Sequence, residues 1–217
     1  MKVALIGATG FVGSALLNEL LQRGHTVTAL VRDPAKLPAR EGLGIVQADV
    51  YDAAQVAQAV EGHDVVLSAF NPGWNDPALY ERFTAGHRAI VAGSKRAKAP
   101  RLLVIGGAGS LFVAPGVQLV DTPAFLDHVP PNIVPGAQAA RDALTELRSE
   151  TALNWTLVSP AAMLQPGQRT GHYRLGGEQL LMDGDKPASI SVQDLAVAVV
   201  DELETPRHPQ QRFTAAN

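Results

Sequence analysis

The chain opens Met1-Lys2-Val3-Ala4-Leu5-Ile6-Gly7-Ala8-Thr9-Gly10-Phe11-Val12-Gly13, and this stretch decides the fold. Val3 to Ile6 are an apolar run of strand length. Gly7, Gly10 and Gly13 follow at a spacing of three, and Ser14 to Leu21 continue as a helix. Strand, glycine turn and helix in direct succession present backbone N–H groups and the positive end of a helix to a phosphate. Gly7 permits the tight turn, Gly10 lets the backbone approach a pyrophosphate, and Gly13 lets the helix sit close on the sheet. Ala8, Thr9, Phe11 and Val12 complete the expected dinucleotide cradle. A second strand over Thr26 to Val31 supplies the context that separates this fingerprint from an ordinary turn.

Strands and helices continue to alternate. The pattern predicts strands over Ile45–Ala48, Asp64–Ala69, Arg101–Ile105 and Thr156–Val158. It predicts helices over Ala53–Val60, capped by Asp52, and over Pro77–Lys98 and Ala137–Glu150. Interleaved elements of this kind give right-handed crossovers and a parallel sheet covered on both faces. The expected fold is α/β, a doubly wound Rossmann-type domain spanning residues 1–217. From residue 159 onward Gly, Pro and polar residues interrupt the periodicity. Leu180–Met182 and Ile190 read as short extended pieces, Gln193–Leu203 as a helix capped by Ser191, and Arg212–Thr214 as a closing strand. This part reads as a small substrate-facing lobe, too short to bury a core of its own.

The 217 residues carry 46% hydrophobic and 18% charged side chains and a net charge of −3. That balance describes a well-cored globular chain with no electrostatic footprint for nucleic acid or an anionic membrane. The absence of cysteine excludes disulfides and thiolate chemistry, and the six histidines show no metal-ligand spacing. A strand at the very start leaves no room for a signal peptide, so a cytoplasmic location, as monomer or homodimer, is expected.

The residues that carry chemistry fall at strand ends. In NAD-selective Rossmann proteins an acid after the second strand accepts the ribose 2′-OH. Here Val31 is followed by Arg32, with Lys36 nearby, and both suit a 2′-phosphate unless they are solvated loop charges. Asp33 lies about twenty residues past the last glycine and suits an NAD ribose instead. NADP(H) is therefore the preferred cofactor, with NAD(H) the alternative. Asp49 and Val50 fall where the chain passes the adenine, although Asp49 also reads as a helix-start residue. Ala69 and Phe70 end the fourth strand at the crevice rim. Gly106 and Gly107 begin a glycine-rich turn facing the nicotinamide, with Ser110 as its hydroxyl. Ser159, Pro160 and Ala161 enter the same crevice. Trp74, Phe112, Phe125, His128 and Trp155 are candidates for an acceptor pocket, and the proline-rich stretch from Ser110 to Pro135 for a lid or pocket wall.

With these residues in view the chain resembles the atypical short-chain dehydrogenase/reductases. The likeness is to the NmrA-like group that includes biliverdin-IXβ/flavin reductase and bacterial proteins described as NADH-flavin reductases. It runs through Gly7-Ala8-Thr9-Gly10-Phe11-Val12-Gly13, Gly106-Gly107-Ala108-Gly109-Ser110-Leu111 and Asn154-Trp155-Thr156-Leu157-Val158-Ser159-Pro160-Ala161. It continues through Thr170-Gly171-His172-Tyr173-Arg174-Leu175-Gly176-Gly177, Ile190-Ser191-Val192-Gln193-Asp194 and Gln211-Arg212-Phe213-Thr214. The resemblance implies a Rossmann fold and a nicotinamide cofactor.

One absence shapes the expected chemistry. Carbonyl-reducing members of the wider class use a Tyr-x-x-x-Lys pair for proton transfer. Here Tyr51, Tyr80 and Tyr173 are followed four places on by Gln55, Thr84 and Gly177. Hydride transfer to an acceptor that delocalises charge, a flavin bound as substrate or a quinone, survives this loss, with Ser110 polarising the acceptor. The alternative is a non-catalytic NADP-sensing regulator that binds a protein partner.

Overall fold

Along β1 (Lys2–Ile6) successive side chains enter two different cores. Val3 and Leu5 belong to one buried cluster, Ala4 and Ile6 to another, as a strand covered on both faces requires. The computed structural model describes residues 1–217. After β1 come α1 (Phe11–Gln22), β2 (Thr26–Val31), β3 (Leu43–Gln47), α2 (Ala53–Val60), β4 (Val65–Ser68), α3 (Leu79–Arg96) and β5 (Leu102–Ile105). A hairpin, β6 (Phe112–Ala114) and β7 (Val117–Gln118), and the short α4 (Pro123–His128) precede α5 (Val134–Arg148) and β8 (Trp155–Pro160). The remainder is β9 (Met163–Gln165), β10 (Arg174–Gly176), β11 (Met182–Asp183), β12 (Lys186–Pro187), β13 (Ser189–Ser191), α6 (Val192–Glu204) and β14 (Gln211–Ala216).

The main sheet has eight strands in the order β10-β14-β8-β5-β4-β1-β2-β3. Every pair is parallel except β10 with β14. Leu16, Leu20, Leu195 and Val199 from α1 and α6 cover one face; Val56, Ile90 and Leu144 from α2, α3 and α5 cover the other. The strand order reverses at β1, which lies between β2 and β4 with Ile6 opposite both Leu30 and Ser68. A crevice opens beyond the carboxyl ends of the strands at such a switch point, and ligands of open α/β sheets bind there.

Several boundaries differ from the sequence reading. The third strand is shifted to Leu43–Gln47, α3 runs 79–96, and α5 starts at Val134. Pro135 fits the first turn of α5, where its missing N–H costs nothing. The proline-rich stretch is partly regular: Gly116, at φ +76°, turns the β6–β7 hairpin, and Thr122 caps α4 by accepting from Phe125 N–H at 3.1 Å. Pro123 sits in the first turn of α4, where its missing N–H costs nothing.

The late motifs hold the chain after β8 onto α6. Ser191 accepts from Asp194 N–H at 2.9 Å, the expected cap. Fully buried Asp194 accepts from the Thr170 and Gly171 amides at 2.8 Å, from the Thr170 hydroxyl at 2.6 Å and from Asn217 Nδ2 at 2.8 Å. Although burial opposes ionisation, these four donors hold its carboxyl below the usual range.

Candidate functional site

The site is built first from backbone. Gly7 turns out of β1 at φ +84°, and a Cβ there would lie 2.4 Å from the Ala69 carbonyl oxygen at the end of β4. A Cβ on Gly13 would lie 1.9 Å from the Gly7 carbonyl oxygen. Turn, helix and neighbouring strand end therefore touch main chain to main chain. Gly10 precedes α1 without a side-chain cap, its own N–H donating to Gly7 at 2.9 Å. The N–H groups of Phe11 and Val12 have no acceptor within the chain, and no carboxylate occupies the first turn. This cradle fits a pyrophosphate by donor set and by shape.

A cavity of about 640 Å³ runs from that cradle along the crevice in both directions. Towards β2 and β3 it is lined by Leu30, Val31, Arg32, Asp33, Lys36, Val50 and Tyr51. Arg32 and Lys36 are exposed and make no ion pair. Asp33 turns one carboxylate oxygen back to cap a short turn of helix, accepting from Ala35 N–H at 3.1 Å. The donors at this end fit a 2′-phosphate.

In the other direction the cavity passes Ala69 and Phe70, then the turn from Gly106 to Gly109, with Pro160 and Ala161 on one side. It ends among Trp74, Phe125, His128, Val129, Ile133 and Ala137. The stretch between β5 and α5 thus supplies a wall of the cavity. Helix α5, beside that end, contains neither tyrosine nor lysine. The hydroxyl of Tyr80 is bound to Asp142 at 2.8 Å. That of Tyr173 is bound to Asp201, and burial first, then this bond, pushes it up to about 12.

Gly7, Thr9, Gly10, Phe11, Val12, Arg32, Lys36, Val50, Ala69, Phe70, Gly106, Gly107, Pro160 and Ala161 come together as cavity lining. Five expected residues lie elsewhere. Ala8 is wholly in the core, and Gly13 is the contact point of α1 with the turn. Asp49 accepts from Tyr51 N–H at 3.0 Å, and Asp52, not Asp49, caps α2. Ser159 is fully buried behind the turn. Ser110, only 1% exposed, points away from the cavity, donating to the Gly107 carbonyl at 3.1 Å beside Ser159 Oγ at 3.3 Å. The expected hydroxyl on the acceptor is therefore corrected to a hydroxyl that braces the turn from behind.

Of the aromatic candidates, Trp74, Phe125 and His128 line the cavity; Phe112 and Trp155 do not. Tyr51 went unread. It stacks edge-on against Phe70 at 5.8 Å, with the Arg82 guanidinium 5.2 Å from its ring centre. The signal for it was its place directly after Val50, past the third strand.

Fold and cleft together define a Rossmann-type nucleotide-binding protein. The chain belongs to the NAD(P)H-binding family, whose model matches residues 7–206. The uncharacterized protein YwnB of Bacillus subtilis is 38% identical over 220 residues, covering 100% of this chain and 99% of that one. Among solved structures, a putative epimerase from Bacteroides thetaiotaomicron superposes with a TM-score of 0.90 at 45% identity, covering 99% of this chain and 96% of the other. A putative NADH-flavin reductase from Streptococcus pneumoniae gives a TM-score of 0.86 at 34% identity, covering 100% and 99%. No helix is long and apolar enough to cross a membrane.

Proposed function

We propose that this chain is an NADPH-dependent reductase that passes hydride to a flavin- or quinone-like ring. The observation that carries the reading is the continuity of one cleft, from free cations at Arg32 and Lys36 to an aromatic end with no tyrosine–lysine pair beside it. The bound dinucleotide supplies the hydride. The Gly7–Val12 cradle and Arg32 hold its phosphates, and the Gly106–Gly109 turn with Pro160 forms a backbone surface that orients the reacting ring. Trp74 and Phe125 offer faces for stacking a second ring and excluding water. With no tyrosine–lysine pair beside this end, the acceptor's own basic atoms take their proton from solvent. The similarity to a protein called an NADH-flavin reductase supports this class of acceptor.

Stopped-flow mixing with NADPH and a panel of flavins and quinones tests the reading. We expect cofactor oxidation well above the protein-free rate for at least one acceptor. Oxidation that never exceeds that background, together with tight NADPH binding, would favour an NADP-sensing regulator that recruits a protein partner.

A further inference from the structure

Charge is distributed unevenly along the cleft. The charged side chains that line it, Arg32, Asp33 and Lys36, all lie at the β2 end. Past Gly107 the walls are apolar or aromatic apart from Asn71 and His128, and His128 is the single titratable group among them. One nitrogen of His128 is already engaged, its Nδ1 lying 2.8 Å from the Ala124 carbonyl.

Arg32 is the one arginine that lines the cleft, and arginines on the elements around it are occupied. Arg141 is held by Asp121 at 2.8 Å and Asp142 at 2.9 Å. Arg82 is paired with Asp76 at 3.4 Å, and Arg148 and Arg212 share Glu178. Asp127 adds an exposed carboxylate beside His128. The acceptor end therefore offers an anion no unpaired cation.

Resting on the hydride-transfer reading above, we infer that the acceptor is an uncharged planar ring without phosphate or sulfonate, such as a simple quinone or a dephosphorylated flavin. A phosphate brought into this end would leave water without a counter-charge to replace its hydration, which disfavours binding. An uncharged ring loses little hydration and gains the faces of Trp74, which is 49% exposed, and Phe125.

Riboflavin and FMN share one ring system and differ by a phosphate, so they separate charge from shape. Quenching of their fluorescence is titrated on protein saturated with NADP+, and NADPH turnover is measured with menadione and with 1,2-naphthoquinone-4-sulfonate. Riboflavin is expected to bind at least about tenfold tighter than FMN, and menadione to show a similar advantage in kcat/KM, carried by KM. Ile133→Lys, which places a cation at this end, is expected to bring both ratios towards one; His128→Gln is expected to leave them unchanged. FMN binding as tightly as riboflavin, or the sulfonate turning over as well as menadione, overturns the inference while hydride transfer stands. Failure of every acceptor to turn over, with neither flavin quenched, overturns the reductase reading itself.

Discussion

Arg212, on the last strand, donates to Ser110 across 3.2 Å, linking residues 102 positions apart in the chain. The arginine side chain is entirely shielded from solvent. It also donates to Ser159 at 3.3 Å and pairs with Glu178, so one buried cation ties the turn after β5 to the end of β8. Removing one partner of such an arrangement leaves a buried charge short of its hydrogen bonds. Ser110→Ala is expected to cost about 1–3 kcal/mol in urea unfolding. Turnover should change by less than about threefold, because the hydroxyl does not face the acceptor. An unchanged unfolding midpoint with a tenfold slower hydride step would put the hydroxyl on the acceptor after all.

On the proposed function, Arg32 decides cofactor choice. In a charge-assisted contact with a 2′-phosphate it contributes about 1.5–3 kcal/mol. Arg32→Ala is therefore expected to weaken NADPH binding roughly ten- to a hundredfold and to leave NADH nearly unchanged. Calorimetric titration of both cofactors reads this directly. Equal losses for the two would make Arg32 a solvated loop charge and return Asp33 as the ribose partner.

Gly13 tests the cradle. A methyl group 1.9 Å from the Gly7 carbonyl cannot be accommodated, because its neighbour is backbone and not a flexible side chain. Gly13→Ala is expected to push α1 off the turn, lowering the melting temperature and abolishing cofactor binding together. A variant that melts normally and still binds NADPH would mean that α1 shifts at little cost.

His87, buried on α3 with Nε2 unpartnered, sets a pH dependence. Burial pushes its imidazole down to about 4 from 6.5; Glu146 opposes the shift and Arg88 adds to it. The folded protein keeps the ring neutral while the unfolded chain takes a proton first. Stability therefore falls as pH drops from about 6.5 and levels off below about 4, by roughly 3 kcal/mol in all. Carboxylates held low by their partners, Asp194 and Glu202 among them, give up stability only below about pH 5. Urea titrations between pH 6.5 and 5 should show a slope that His87→Leu removes.

What the sequence revealed was local. The glycine turn, the Asp52 and Ser191 caps and the doubly wound order follow from patterns a few residues long, and each is present. What it hid depends on partners far along the chain. A serine in a glycine-rich turn reads as a group offered to a ligand until Arg212 appears behind it. Asp49 reads as an adenine contact, yet one of its carboxylate oxygens holds the Tyr51 amide and it is Tyr51 that lines the cleft. The motif around Asp194 looks like a functional signature, yet its carboxylate clamps the Thr170–Gly171 loop and Asn217 in place.

The contact of Gly7 with both Ala69 and Gly13 has a consequence for redesign. Because that junction is main chain against main chain, the phosphate cradle has no side chain through which a change elsewhere could loosen it. The two ends of the cleft, by contrast, are shaped largely by side chains, on the segments after β2 and β3 at one end and after β4 and β5 at the other. On the proposed function, cofactor preference and acceptor range are then separable properties, each adjustable by substitution at its own end around a fixed centre.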